Sequence, residues 1–147
     1  MNPSGNTATH SIAQFFQGLE EETANGNMGA LAERFSESFL AASPSGAKVA
    51  QRTVFAETMP SRKQAFDKLG CRSTRLVSLE TTVLDARYTL ARTRWQLTFA
   101  RDGQDPQEVF ADSTYIVDTG EERFQIILYL TSQDLPKVLA ERGIIPA

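Results

Sequence analysis

Asp112, Tyr115 and Tyr129 are the residues of this chain whose types and positions could do chemistry. Asp112 is the acid in the middle of a strand-like segment. Facing an apolar concavity, its carboxyl would be desolvated, its pKa would rise, and it could act as a general base. Facing outward, it would pair with an arginine such as Arg94. A buried phenol needs a hydrogen-bond partner and can orient a ligand carbonyl; otherwise it bonds backbone at a sheet edge. Asp112 and Tyr115 have opposite strand parity, so a regular strand cannot aim both inward. A bulge, or the use of Tyr129, would lift that constraint. Trp95 either packs the interior or stacks on an apolar ligand.

Other chemistries lack their parts. The single cysteine, Cys71, excludes an internal disulfide and a Cys-rich metal cluster, and it reads as a small half-buried hydrophobe. The single histidine is His10, in a polar segment. A Cys–His nucleophile pair would have to join it to Cys71. No His/Cys set for zinc, GxSxG elbow, Walker loop or Gly-rich dinucleotide fingerprint is present. No cofactor is expected.

The elements that must position these residues follow from periodicity. Before Gly70 apolar residues recur at helical spacing, and after it they alternate. Ser11 is expected to cap a first helix, with Gln14 completing a capping box and Ile12, Phe15, Phe16 and Leu19 on one face. Asn25 and Gly26 stop it. A second helix is expected from Met28 to Ser38, with Leu31, Phe35 and Phe39 in its stripe and a short strand over 39–42. Ser43 to Gly46 reads as a turn. Pro60 is expected to end or kink whatever precedes it, and Ser61 to cap a further helix closed by Gly70.

Four strands follow: 73–84, 88–100, 107–117 and 123–131. Ala91, Thr93, Trp95, Leu97 and Phe99 share one face of the second, and Val109, Ala111, Ser113, Tyr115 and Val117 one face of the third. In the last, Phe124, Ile126, Leu128 and Leu130 alternate against Gln125, Ile127, Tyr129 and Thr131. Short turns make these strands antiparallel. A final helix begins near Ser132 or Asp134, with Pro136 in its first turn.

The chain has 147 residues, 41% of them hydrophobic, which suits one domain with one core. We expect a polar, flexible tail over 1–10 and a single domain over 11–147. No secretory h-region and no apolar run of about 20 residues is present, so a cytoplasmic, non-membrane protein is expected. A net charge of −3 argues against nucleic acid and anionic membrane as partners. Arg72, Arg75, Arg87, Arg92 and Arg94 could form an anion-binding patch, but Glu80 and Asp85 are interleaved, as on an ordinary solvated face.

Several stretches resemble the superfamily of nuclear transport factor two, ketosteroid isomerase, scytalone dehydratase and the SnoaL-like cyclases. These are Phe15 and Phe16 on a leading helix, the segment Leu31 to Phe39, the strand–turn–strand from Leu84 to Trp95, and the run from Arg123 to Tyr129 followed by Gln133 to Leu135. The resemblance covers about 11–143. It implies an α+β fold, with helices packed on a curved antiparallel sheet in a cone, a cystatin-like α+β roll.

The resemblance also implies a pocket between the concave sheet face and the helices, lined by Phe16, Phe35, Phe39, Trp95, Tyr115 and Tyr129. The implied partner is a small apolar or carbonyl-containing molecule, and a second copy of the chain forming a homodimer. The alternatives are an isomerase, cyclase or dehydratase acting on a carbonyl compound, and a homodimeric interaction module without a ligand. The chain departs from the pattern twice: Thr131 and Ser132 stand where many such chains place a histidine at the end of the last strand, and the histidine–acid pair that the dehydratases use would have to draw on His10. No catalytic residue carries over, and Asp112 is the acid that could serve as base.

Overall fold

Ile12, Phe15, Phe16 and Leu19 form the buried stripe of helix α1 (Ser4–Asn25). The computed structural model describes residues 4–120 and 122–144, with side chains from residue 12 onward. The helix begins seven residues before the expected cap at Ser11, so residues 4–10, expected as a tail, are helical backbone. The first three residues of that tail, and the side chain of His10, lie outside the described part. Gly26 (φ 70°) turns the chain, and the Asn27 side chain accepts from the Ala30 N–H at 3.3 Å to start α2 (Met28–Glu33).

The second helix stops five residues earlier than its spacing suggests, and Phe35 and Phe39 belong to strand β1 (Phe35–Ser43). A separation of four keeps two residues on one face of a helix and equally on one face of a strand. Ser43 to Gly46 makes the expected turn, into an unexpected edge strand β2 (Gly46–Gln51).

Helix α3 (Arg52–Lys68) continues through Pro60, where an end or a kink was expected. Pro60 lies on the solvent side, where water can serve the carbonyl that loses its partner. Phe55, Met59 and Phe66, on both sides of the proline, all turn toward the sheet. Gly70 (φ 91°) closes the helix against the end of the second long strand; a Cβ there would lie 2.7 Å from the Ala100 carbonyl oxygen.

The rest follows the alternating pattern: β3 (Cys71–Val83), β4 (Tyr88–Phe99), β5 (Gln107–Asp118), β6 (Gln125–Thr131) and α4 (Leu135–Glu141), with Pro136 in its first turn and Asp134 as cap. The six strands are ordered β2-β1-β6-β5-β4-β3. All neighbours are antiparallel except β1 and β6, which are parallel. Bulges bend the sheet: register shifts occur at Arg72 and Val77 in β3, and at Ile127 in β6. The Glu20 carboxylate accepts the Leu76 N–H at 2.7 Å, which fastens α1 beside the Val77 bulge.

The Ile127 bulge corrects the expected alternation in the last strand. Ile126 and Tyr129 differ in parity yet both face the helices, whereas Leu128 and Leu130 lie on the outer face. The result is a cone: a curved sheet whose concave face is covered by helices, with a core running from Ile12 and Phe16 to Trp95, Val117 and Ile126.

Candidate functional site

The concave face of β4 and β5 carries an internal polar chain. The Trp95 Nε1–H donates to Thr93 Oγ1 at 2.9 Å, and Thr93 Oγ1 donates to the Ser113 carbonyl at 3.0 Å. Both bonds are buried, so the indole is oriented and satisfied without a ligand. Tyr115, 5% exposed, stacks on Tyr129 with ring centres 5.0 Å apart and planes 6° from parallel. Phe16 also packs against Tyr115, with ring centres 5.1 Å apart. Burial pushes the Tyr115 phenol well above its ordinary range, and the Tyr129 phenol adds to this. Hydrogen bonding with the side chains of Ser113 and Trp95 and the charge of Arg62 act the other way without cancelling it. Tyr115 therefore stays a neutral hydroxyl at any physiological pH.

Trp95, Ser113, Tyr115 and Tyr129 form one wall of a cavity of about 450 Å³. Leu19, Met28, Leu31, Phe35, Phe55, Met59 and Phe66 close it from the helices and β1. Four of the six expected lining residues, Phe35, Trp95, Tyr115 and Tyr129, border it. Phe16 and Phe39 do not. Phe16 is fully buried behind Tyr115, and Phe39, 3% exposed, packs its ring 4.7 Å from Phe35. Both are core supports one layer back.

Asp112 faces away from the cone. Its partners are Arg94 (Nε to Oδ1, 3.8 Å) and the Gln133 amide (Nε2 to Oδ2, 3.1 Å), with the carboxylate and the guanidinium both well exposed. Strand β5 is regular between Asp112 and Tyr115, so the parity argument decides the matter: the phenol is inside and the acid outside.

Of the charged residues at the mouth, only Arg72 and Arg75 were singled out by the sequence. Glu20 and Glu21 come from α1, Arg62, Lys63 and Asp67 from α3, and Arg72 and Arg75 from β3. Lys63 Nζ is bound to Asp67 at 2.6 Å, and Glu20 is held by Leu76. The signal for Arg62 was present: Phe55, Met59, Arg62 and Phe66 form one helical stripe. Reading Pro60 as a break divided it.

The arginine cluster also disperses. Arg87 binds Asp118 and Arg94 stacks on Phe110 at 4.7 Å, while Arg72 and Arg75 alone of the five reach the cavity. Cys71 borders the cavity too; burial pushes its thiol up more than Thr74 and Ser73 lower it, which makes it a poor nucleophile at neutral pH.

No family model and no curated protein sequence matches the chain. Solved structures do. A nuclear transport factor 2-like protein of unknown function from Shewanella oneidensis is 21% identical over 86% of this chain and 99% of its own, with a TM-score of 0.65. A protein of the same kind with a cystatin-like fold, from Novosphingobium aromaticivorans, is 16% identical over 100% and 99%, with a TM-score of 0.69. The chain has the nuclear transport factor two-like fold. A protein assigned as a scytalone dehydratase from Novosphingobium aromaticivorans has the same cone, at 10% identity over 89% and 87% with a TM-score of 0.70. The nuclear transport factor two-like fold thus accounts for the curved sheet, the covering helices and the position of the cavity between them.

Proposed function

We propose that this nuclear transport factor two-like protein binds a small apolar or carbonyl-containing organic molecule inside the cone. The observation that carries the reading is the cavity itself. Its volume of about 450 Å³ lies within the range of small-molecule sites, and its wall is aromatic and aliphatic with the Tyr115 hydroxyl as a convergent polar group. A neutral, environment-sensitive dye such as Nile red tests it. Saturable fluorescence enhancement is expected, and Ala111→Phe, which adds a ring to the cavity lining, should abolish it while leaving the circular dichroism spectrum intact. Enhancement that persists in Ala111→Phe would place the dye elsewhere and remove the support.

The enzyme reading is favoured by one observation, the buried neutral phenol of Tyr115, which could donate to a carbonyl oxygen as it became negative. It lacks a base nearby. Among the described residues, the carboxylates bordering the cavity are Glu20, Glu21 and Asp67, all at its mouth, and Asp112 faces outward. Binding therefore ranks ahead of turnover. If a carbonyl substrate is found, loss of turnover in Tyr115→Phe with unchanged dye uptake is the result that would restore the enzyme reading.

The outer face of the sheet supports a homodimer. Leu40, Phe110 and Leu130 are each 37% exposed on that face, next to Leu128 and Ile116. An exposed apolar face of this kind can pair with its own copy across a two-fold axis. The acidic net charge and the single thiol fit a cytoplasmic protein that binds no nucleic acid. No helix among the described residues is long and apolar enough to cross a membrane.

A further inference from the structure

We infer that the molecule held in the cone is an apolar carboxylate, with its acid group between the Arg62 guanidinium and the Tyr115 hydroxyl. The inference rests on the binding role proposed above and specifies its ligand. Arg62 stands on the inward stripe of α3 between Met59 and Phe66, a place where apolar side chains are otherwise used. It borders the main cavity and also a smaller recess beside Ser113 and Tyr129, whose two carboxylates are engaged elsewhere: Asp112 by Gln133 and Arg94, and Asp134 by the Lys137 N–H. Among the described residues no carboxylate pairs with it, whereas its helical neighbour Lys63 is neutralised by Asp67 at 2.6 Å.

The cations of the cavity are thus not equivalent. Arg62 is the arginine whose charge acts on the buried phenol of Tyr115; Arg72 and Arg75 lie on β3, the edge strand, separated by β4 from the strand that carries Tyr115. A guanidinium offers two parallel N–H groups that match a carboxylate, and a phenol held neutral can supply a third donor. The acids of the mouth do not cancel this arrangement: Glu20 is engaged by the Leu76 N–H and Asp67 by Lys63, which leaves Glu21, on α1. The rest of the wall is aromatic and aliphatic, so a ligand with a charged end and an apolar body fits both parts.

The test is displacement of Nile red by a matched pair, 2-naphthoate and 2-naphthamide, at neutral pH and low salt. The pair shares its ring system and differs in charge. The acid is expected to displace the dye at roughly fivefold lower concentration than the amide, a modest factor because Arg62 is solvent-exposed. In Arg62→Gln the acid should fall to the amide's value while the amide is unchanged. Arg62 is exposed and makes no ion pair among the described residues, so the variant should fold.

Equal displacement by acid and amide in the unmodified protein would overturn the inference and leave the binding role intact. Loss of the preference in Arg72→Gln or Arg75→Gln, with Arg62→Gln unaffected, would overturn the assignment to Arg62. Absence of saturable dye uptake would remove the binding role, and this inference with it.

Discussion

At the scale of single residues, the site depends on which groups are kept neutral and which are kept charged. Burial moves the Tyr115 phenol further above neutral pH, and Arg87, which grips Asp118 through two bonds of 2.9 Å, moves that carboxyl further below it. The guanidinium beside it, with the Gly120 N–H, holds the Asp118 carboxyl below its ordinary value against the opposing effect of burial. A carboxyl lowered in the folded state contributes stability that is present above its unfolded pKa, near 4, and is lost as pH falls through the folded value. Asp118→Asn should therefore cost about 1 kcal/mol at pH 7, kept small by the half-exposed arginine. The gap from the unmodified protein should shrink steadily below about pH 4. Urea unfolding at a series of pH values measures both, and a gap that stays constant down to pH 2 would contradict the assignment.

At the scale of elements, two helices are held very differently. Helix α1 is stapled. Arg34, at the end of α2, binds Glu22 at 2.6 and 2.9 Å, donates to the Phe15 carbonyl at 3.1 Å and lies over the Phe15 ring. Gly18 makes the space; a Cβ there would run into the Arg34 guanidinium. Arg34→Ala leaves Glu22 and the Phe15 carbonyl without this partner, and is expected to cost about 2 kcal/mol, read as a lower denaturant midpoint at unchanged slope.

Helix α3 has no fully buried residue among its 17 and a proline in its interior. Its amides should exchange with deuterium faster than those of α1, and a ligand in the cavity should slow them, since Phe55, Met59 and Phe66 roof that space. Protection of α3 equal to that of α1 in the free protein would show that the roof is held by more than these contacts.

At the scale of the whole molecule, the sheet separates two functions. Its concave face builds the cavity, and its convex face carries apolar side chains beside charged ones such as Arg94 and Asp112. Leu130 is central to that outer face, opposite Thr114 on β5 and Ala42 on β1. If two copies meet there, Leu130→Glu should convert a dimer to a monomer in light scattering at tens of micromolar, without affecting dye uptake in the cone. A monomer in the unmodified protein would leave the outer face as ordinary surface.

Local pattern was enough to read the long strands, their faces and their antiparallel order. Alternation of Ala91, Thr93, Trp95, Leu97 and Phe99 has one physical solution, a strand with one buried face, and Tyr115 lies inside for the same reason that Asp112 lies outside. The first helix and its apolar stripe were legible too, although its start was not.

Three features required the folded chain. Phe35 and Phe39 belong to a strand because Ile126 N–H and the parallel edge of β6 are there to receive it, a partner about 90 residues away that spacing alone cannot reveal. Tyr129 turns inward because one extra residue is accommodated at Ile127. Arg62 reaches the cavity because α3 continues through Pro60, where packing against the cone outweighs one missing hydrogen bond. Sequence therefore determined the part of the wall on β4 and β5, whose residues answer to their own strand's periodicity. Tertiary structure decided its roof and its charge, because those depend on which distant segments share the space.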